Sequence, residues 1–508
     1  MKHLFSIFCC LSTLVAISQT NTEVFLADLS FTEDREFKVS NFQNISYNEG
    51  YDNQPSFTQD GLLLYAKTQN EQTDIAVFDP AFWSTQWLFE GTPGGEYSPQ
   101  RIGSTQDFTA VRLDPDGKQR LYRYRSGEAP VAYIKDLRVA YYAHYDENTL
   151  LSSVLSGNQL DLVISDIASQ KSDTLLDRSG RSIHKVPATD AMSYTAVNEE
   201  GNWDVYQLDT KTKESFFVAQ LPIGIQDHVW LDGSKMLIGS GNKLYLYDLF
   251  GDGEWQLFAD LSAYKIENIT RMAVSPDRKR LAIVAEALSP SEIVQAHIAP
   301  YNEGRLDDFA NAFSENVVVR NFPADTTSMG RAEMRAGYER FMKNNSNLTV
   351  KVENRIAYKN VVVDEETGTV NNDTFHQATI YETGLGSIQS MTFIHNKKTS
   401  KDPTIIVDKQ LEAYNARNID EFMATYADDI KLYSFPHRFM SEGQASMKTN
   451  YASFFEATPD LNCTIKNRIV VGNKVIDEEF LTINGKNYSA IAIYEVENGL
   501  ISKVTFIQ

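Results

Sequence analysis

Tyr301-Asn302-Glu303-Gly304-Arg305-Leu306-Asp307-Asp308-Phe309 returns further along the chain as Tyr414-Asn415-Ala416-Arg417-Asn418-Ile419-Asp420-Glu421-Phe422. The same offset carries Phe322-Pro323 onto Phe435-Pro436, Gly330 onto Gly443 and Asn354-Arg355-Ile356 onto Asn467-Arg468-Ile469. It also carries Asp364-Glu365-Glu366 onto Asp477-Glu478-Glu479, and Ile380-Tyr381-Glu382 onto Ile493-Tyr494-Glu495. No gap is needed from Ile293 to the C-terminus, so the end of the chain is a duplicated domain, with copies at 291–397 and 402–508. In the second copy Ile406, Val407, Leu411, Tyr414, Ile419, Phe422, Met423 and Tyr426 fall on one helical stripe. A short strand through Phe435-Pro436 follows, then a helix carrying Met447, Tyr451 and Phe454. Three or four alternating strands complete the unit.

Upstream of the duplication a different repeat runs from 19 to 287. Its marker is an alternating strand: Asp74-Ile75-Ala76-Val77-Phe78-Asp79, Arg120 to Tyr124, Asp161 to Asp166, Asp204 to Asp209, and Lys243 to Asp248. Turns such as Thr58-Gln59-Asp60-Gly61 and Val274-Ser275-Pro276-Asp277 lead into apolar strands, because Gly accepts positive φ and Pro presets a turn. The spacing is that of propeller blades. The last unit stops after two strands, near Ala285, and Glu23 to Asp28 with Glu36 to Val39 supply a third and fourth from the other end of the chain. Such an exchange removes open sheet edges. The expectation is an all-β six-bladed propeller, or one of seven blades if this count merges two weak units, followed by two α+β domains.

At these turns and strands the first region resembles the TolB-like (WD40-like) propeller repeats of bacterial envelope proteins. The order of elements in the duplicated unit resembles the NTF2-like superfamily, in its SnoaL-like and ketosteroid-isomerase-like branch. That resemblance implies a curved sheet wrapped around helices to make a conical pocket, a fold that hosts isomerases, cyclases and binding domains alike. In the isomerases the base is an Asp just before the Pro of the first strand, where Phe322 and Phe435 stand here. The oxyanion-binding Tyr becomes His297 and Gln410, and the second acid falls near Thr374 and Asn487. Proton abstraction beside a carbonyl needs a carboxylate base, so isomerase chemistry is not expected at this position. A pocket of aromatic and polar groups is, lined by Tyr301, Phe322 and Tyr338 in one copy and by Tyr414, Tyr433, Phe435, His437, Arg438 and Tyr451 in the other. The open sheet faces of the two copies also suit packing on one another, as a dimerisation module within one chain.

A basic start at Lys2 and His3, an apolar run from Leu4 to Ile17 and small residues at Ala16 and Ser18 read as a signal peptide over 1–18. A secreted or periplasmic protein is expected. Its cleavage leaves Cys463 as the single cysteine, which excludes an internal disulfide. No apolar stretch is long enough for a transmembrane segment. The net charge of −21 argues against nucleic acid or an anionic membrane surface as partner.

His-Glu-x-x-His, Gly-x-Ser-x-Gly and paired-cysteine motifs are absent from the sequence. The first region has three histidines, His144, His184 and His228, each near the start of a repeat unit, where other units place Gln54, Glu96 and Arg271, with Arg112 nearby. Side chains there would converge on a propeller channel. The first expectation is a non-enzymatic binding protein without cofactor, its propeller rim recognising a protein partner of the cell envelope or a small polar ligand. The alternative is a lyase-like enzyme on an acidic sugar, with a divalent metal held by His144, His184 and His228. A third is an isomerase- or cyclase-type activity in one cone.

Overall fold

A computed structural model describes residues 21–31, 37–48, 50–69, 72–89, 91–399 and 401–507. The expected signal peptide, with Cys9 and Cys10, lies outside these residues. Among the described residues no helix is long and apolar enough to cross a membrane.

The first region is six four-stranded antiparallel sheets. Five of them are consecutive meanders; the first runs Asp52–Phe57, Leu63–Gln69, Gln72–Asp79 and Ser84–Trp87. The remaining sheet is assembled from both ends of the region: Glu267–Val274 and Arg280–Glu286 are followed by Thr22–Phe31 and Phe37–Asn44. Thr22–Phe31 runs antiparallel to Arg280–Glu286, setting Phe25 opposite Ile283. Alternation then sends Phe25, Ala27 and Leu29 to one face, against Leu231, Leu237 and Leu244 of the neighbouring sheet, and Val24 and Leu26 to the other, against Leu63 and Tyr65.

The junction is short. Ser289-Pro290-Ser291-Glu292 forms a capping box: the Ser289 hydroxyl accepts from the Glu292 amide while the Glu292 carboxylate accepts from the Ser289 amide. The chain therefore passes directly from strand into the helix Pro290–Gln295. Leu385, on a hairpin of the first copy, packs against the Phe25 cluster, and the Lys265 ammonium donates to the Gly386 carbonyl at 2.9 Å.

Each C-terminal copy holds a 14-residue helix (Arg331–Asn344 or Gln444–Ala457) and a six-stranded mixed sheet of identical strand order; the opening helix is continuous in the second copy, Thr404–Asn415, and broken into Pro290–Gln295 and Ile298–Asn302 in the first. Gly330 and Gly443, at φ of 90° and 87°, turn the edge strand into the 14-residue helix, a conformation that favours glycine. One expectation is corrected here. Tyr426 does not continue the helical stripe; the helix Ile419–Met423 ends first, and Tyr426–Ser434 is a strand with Phe435-Pro436 at its end.

The two sheets meet through one cluster: Ile356, Val363, Ile380 and Ile394 from the first copy face Ile469, Ile476, Ile493 and Ile507 from the second. These are equivalent positions. At the centre Asn354 and Asn467, also equivalent, bond each other: each side-chain amide donates to the other's carbonyl, at 2.9 and 3.1 Å. Each also donates to a backbone carbonyl across the seam, that of Arg468 or Arg355. A residue meets its own counterpart only on a two-fold axis, so the seam is an isologous dimer interface within one chain. Asn467→Leu strands the Asn354 amide and is expected to cost about 1–3 kcal/mol. The double variant Asn354→Leu/Asn467→Leu should recover part of that loss in urea denaturation followed by far-UV circular dichroism. Additive losses would show the pair to be uncoupled.

Candidate functional site

The first strand of every four-stranded sheet reaches one common cavity of about 710 Å³. Five of these strands are bulged: their register shifts between Asn53 and Ser56, Tyr97 and Gln100, Val139 and Tyr141, Ser179 and Ile183, and Glu267 and Arg271. A bulge re-aims the side chains that follow it. Gln54, Ser98, Tyr141, Arg181 and Arg271, all within or at the end of a bulge, line the cavity. Asp227 joins them just before the short strand Val229–Trp230.

Arg181, Asp227 and Arg271 form the charged centre of this wall. The Arg181 Nε donates to Asp227 Oδ2 at 2.9 Å, and its Nη2 bonds the same oxygen. The Arg271 Nη1 lies 3.2 Å from Oδ1, with its guanidinium over the Tyr141 ring at 5.1 Å from the centroid. One carboxylate thus answers two guanidiniums, and a net positive charge remains. Tyr51 lies close behind, its hydroxyl pushed up to about 12 by burial.

His144, His184 and His228 all line the cavity, as do Gln54 and Arg271. They do not gather into one ligand set. Thr109 Oγ1 is 2.8 Å from His144 Nε2, while Ser182 Oγ lies between His184 Nε2 at 3.0 Å and His228 Nδ1 at 3.1 Å. The other His228 nitrogen bonds Ser193, which also accepts from the Trp230 indole. Among the described residues no group of three or more His, Cys, Asp and Glu is placed to hold a metal ion. Burial lowers His144 and His184 to about 4 and His228 further, so all three rings are neutral at pH 7.

Glu96 and Arg112 are placed away from the cavity. Glu96 precedes the bulge of its strand and turns between sheets, where it accepts from Thr92 and Tyr124 at 2.7 and 2.9 Å and burial pushes it up to about 7. Arg112 sits on the second strand of its sheet, paired with Asp114 and stacked on Tyr122 at 3.7 Å. The expectation that Glu96 and Arg112 converge on the channel with the histidines is therefore corrected.

The expected cone pockets divide in the same way. Tyr301 and Tyr338 pack around Phe309 inside the first copy, and Tyr414 and Tyr451 around Phe422 inside the second. Phe322 and Phe435 instead pack into the seam between the sheets. Tyr433 stacks on His437 at 4.4 Å, and His437 and Arg438 are exposed. Thr374 and Asn487 are exposed as well.

Each cone interior does hold two buried carboxyl groups on one strand face, Asp364 with Glu366 or Asp477 with Glu479; Arg355 or Arg468 clasps the Asp at 2.6–2.8 Å, and the Glu is held by neutral donors. Glu366 accepts from Gln377, Thr379 and Tyr381 at 2.8–2.9 Å, and Tyr381 also meets His297 at 3.2 Å. In the second copy Ala490 and Ala492 replace Gln377 and Thr379, leaving Tyr494 as the donor, at 2.7 Å. Burial pushes Glu479 up to about 7. The recurrence of Asp-Glu-Glu carried the signal for these residues, but only strand pairing shows that the Asp and the second Glu face inward and that Glu365 or Glu478 between them does not.

Residues 294–392 and 407–504 each match the family described as SnoaL-like domain. The C-terminal region is two SnoaL-like domains. Among solved structures, these domains are similar to an uncharacterized cystatin fold protein from Novosphingobium aromaticivorans, at 22% identity over 22% of this chain and 100% of that one, with TM-score 0.21. They are also similar to an NTF2-like protein of unknown function from Cytophaga hutchinsonii, at 19% identity over 22% and 92%, with TM-score 0.18. The six-sheet region is similar to a putative TolB from Agrobacterium tumefaciens, at 14% identity over 53% of this chain and 99% of that one, with TM-score 0.39. No curated protein matches the chain.

Proposed function

We propose that this is a secreted or periplasmic binding protein in which the six sheets are the blades of a closed propeller and the ligand enters its channel. The observation that carries this reading is the convergence of all six first strands on one cavity of about 710 Å³, within the range of roughly 300–1,000 Å³ typical of ligand sites. The bulges put polar and charged side chains there, whereas an unliganded structural channel needs only packing. The paired SnoaL-like domains act as a rigid intrachain dimer beside it. Their interiors are filled by the aromatic rings around Phe309 and Phe422, which supports a scaffold role rather than turnover.

The test is a photo-crosslinking side chain introduced at Ser104, an exposed residue of the cavity wall, and separately at Asp252, on an exposed outer turn. In cells of the source organism the Ser104 site is expected to yield a discrete adduct with an envelope component, and the Asp252 site none. Adducts at Asp252 alone would remove the channel from the reading.

A further inference from the structure

We infer that the channel wall formed by Arg181, Asp227 and Arg271 is a carboxylate-binding site, which rests on the channel being the ligand site and names the chemistry it takes. The Arg181 guanidinium spends Nε and Nη2 on Asp227, and Arg271 offers Asp227 only Nη1. Arg271 has no further hydrogen-bond partner among the described residues, and neither has Arg181 Nη1. These N–H groups are not sealed away: the Arg181 side chain is 34% exposed and that of Arg271 17%, and both line the cavity. Asp227, 9% exposed, serves to fix the two forks side by side, because a buried carboxylate holds its partners firmly.

The result is a set of open N–H donors with one net positive charge, on the cavity wall of a protein of net charge −21. A carboxylate matches it in charge, and the Arg271 fork, which gives only Nη1 to Asp227, offers it a bidentate grip. Tyr141, under the Arg271 guanidinium, helps to hold the fork in place. Gln54, whose Oε1 accepts from the Ser98 amide at 2.8 Å, turns its own amide donors toward the same space. Two sources share this chemistry, a free small carboxylate and the C-terminus of a peptide.

Isothermal titration of the full chain at low ionic strength, with acetate, tri-alanine and tri-alanine amide, tests the site. Tri-alanine is expected to bind, its amide at least about tenfold more weakly. Acetate that displaces tri-alanine at similar concentration assigns a small carboxylate; acetate that binds far more weakly assigns a peptide terminus. Arg271→Gln leaves Asp227 paired with Arg181, so the variant should fold, and it should weaken tri-alanine binding by about tenfold or more. Arg271→Lys, which keeps the charge without the fork, should restore only part. Arg125→Gln, at an outer pair with Asp107, is the control without effect. Equal binding of acid and amide, or an unchanged Arg271→Gln, overturns the carboxylate site while leaving the channel as a ligand site. Absence of all binding together with a silent Ser104 crosslink overturns both.

Discussion

Phe25→Ala is expected to destabilise the six-sheet region by about 3–5 kcal/mol, the usual cost of deleting a buried phenyl ring. Phe25 is fully buried on a strand that joins the N-terminus of the described chain to its last repeat unit. Its ring stacks on Phe42 at 4.8 Å, and Phe42 in turn meets Tyr264 at 4.6 Å. Removing it opens a cavity between two sheets, most of whose other contents come from residues 229–285, so the loss falls mainly on long-range contacts. Trp83, Trp87, Trp203, Trp230 and Trp255 all lie in this region, which makes tryptophan fluorescence in urea a direct readout. Phe82→Ala, at a ring 81% exposed, should stay within about 0.5 kcal/mol of the parent. Equal effects of the two substitutions would show that the N-terminal strand does not seal the last sheet.

Glu479→Gln is expected to stabilise the second SnoaL-like domain above pH 7, by up to about 3 kcal/mol. Burial raises the folded-state value to about 7, against 4.5 when exposed. A raised carboxyl contributes stability that is full below pH 4.5 and is lost as pH rises through 7, because the unfolded chain ionises first. Glutamine keeps the acceptor for Tyr494 and cannot ionise, so the variant's stability should be flat over that window. Part of the gain is offset if the new amide protons find no acceptor. Glu366→Gln should behave oppositely: three donors already converge on Glu366, and an amide donor there would face the Gln377 amide. Cys463, 4% exposed in the second domain, reports its opening by thiol labelling, with Cys9 and Cys10 replaced by Ser. A parent protein whose labelling rate through opening shows no more pH dependence than the variant's would remove the buried-acid assignment.

The histidines add a dependence of opposite sign. His144 and His184 have folded values near 4, below the ordinary 6.5, so their contribution is full above pH 6.5 and is lost as pH falls through 4. Both sets of groups are held in their neutral forms by the same cause, burial of the titrating atoms.

Glu96 shows where the channel residues ceased to be legible. Its position matched those of Gln54 and Arg271 by count along the repeat, but it lies before a bulge and they lie within or beyond one. Each extra residue in a strand exchanges its two faces, and nothing local in Glu96-Tyr97-Ser98-Pro99 states where the exchange falls. Arg181, Asp227 and Tyr141 were missed for a related reason: they are isolated ordinary residues, about 40 positions apart, with no motif between them. Phe322 and Phe435 were placed in cone pockets by likeness to isomerases, while the apolar faces on which they rest exist only once two sheets pack.

The sequence by itself determined the duplication and the repeated hairpins, because turns and alternation are properties of a few neighbouring residues. Only the tertiary structure decided that Asn354 meets Asn467, that Glu479 has one donor where Glu366 has three, and that two arginines share Asp227. Each of these depends on which faces of distant strands are brought together, and that is fixed by packing over the whole chain.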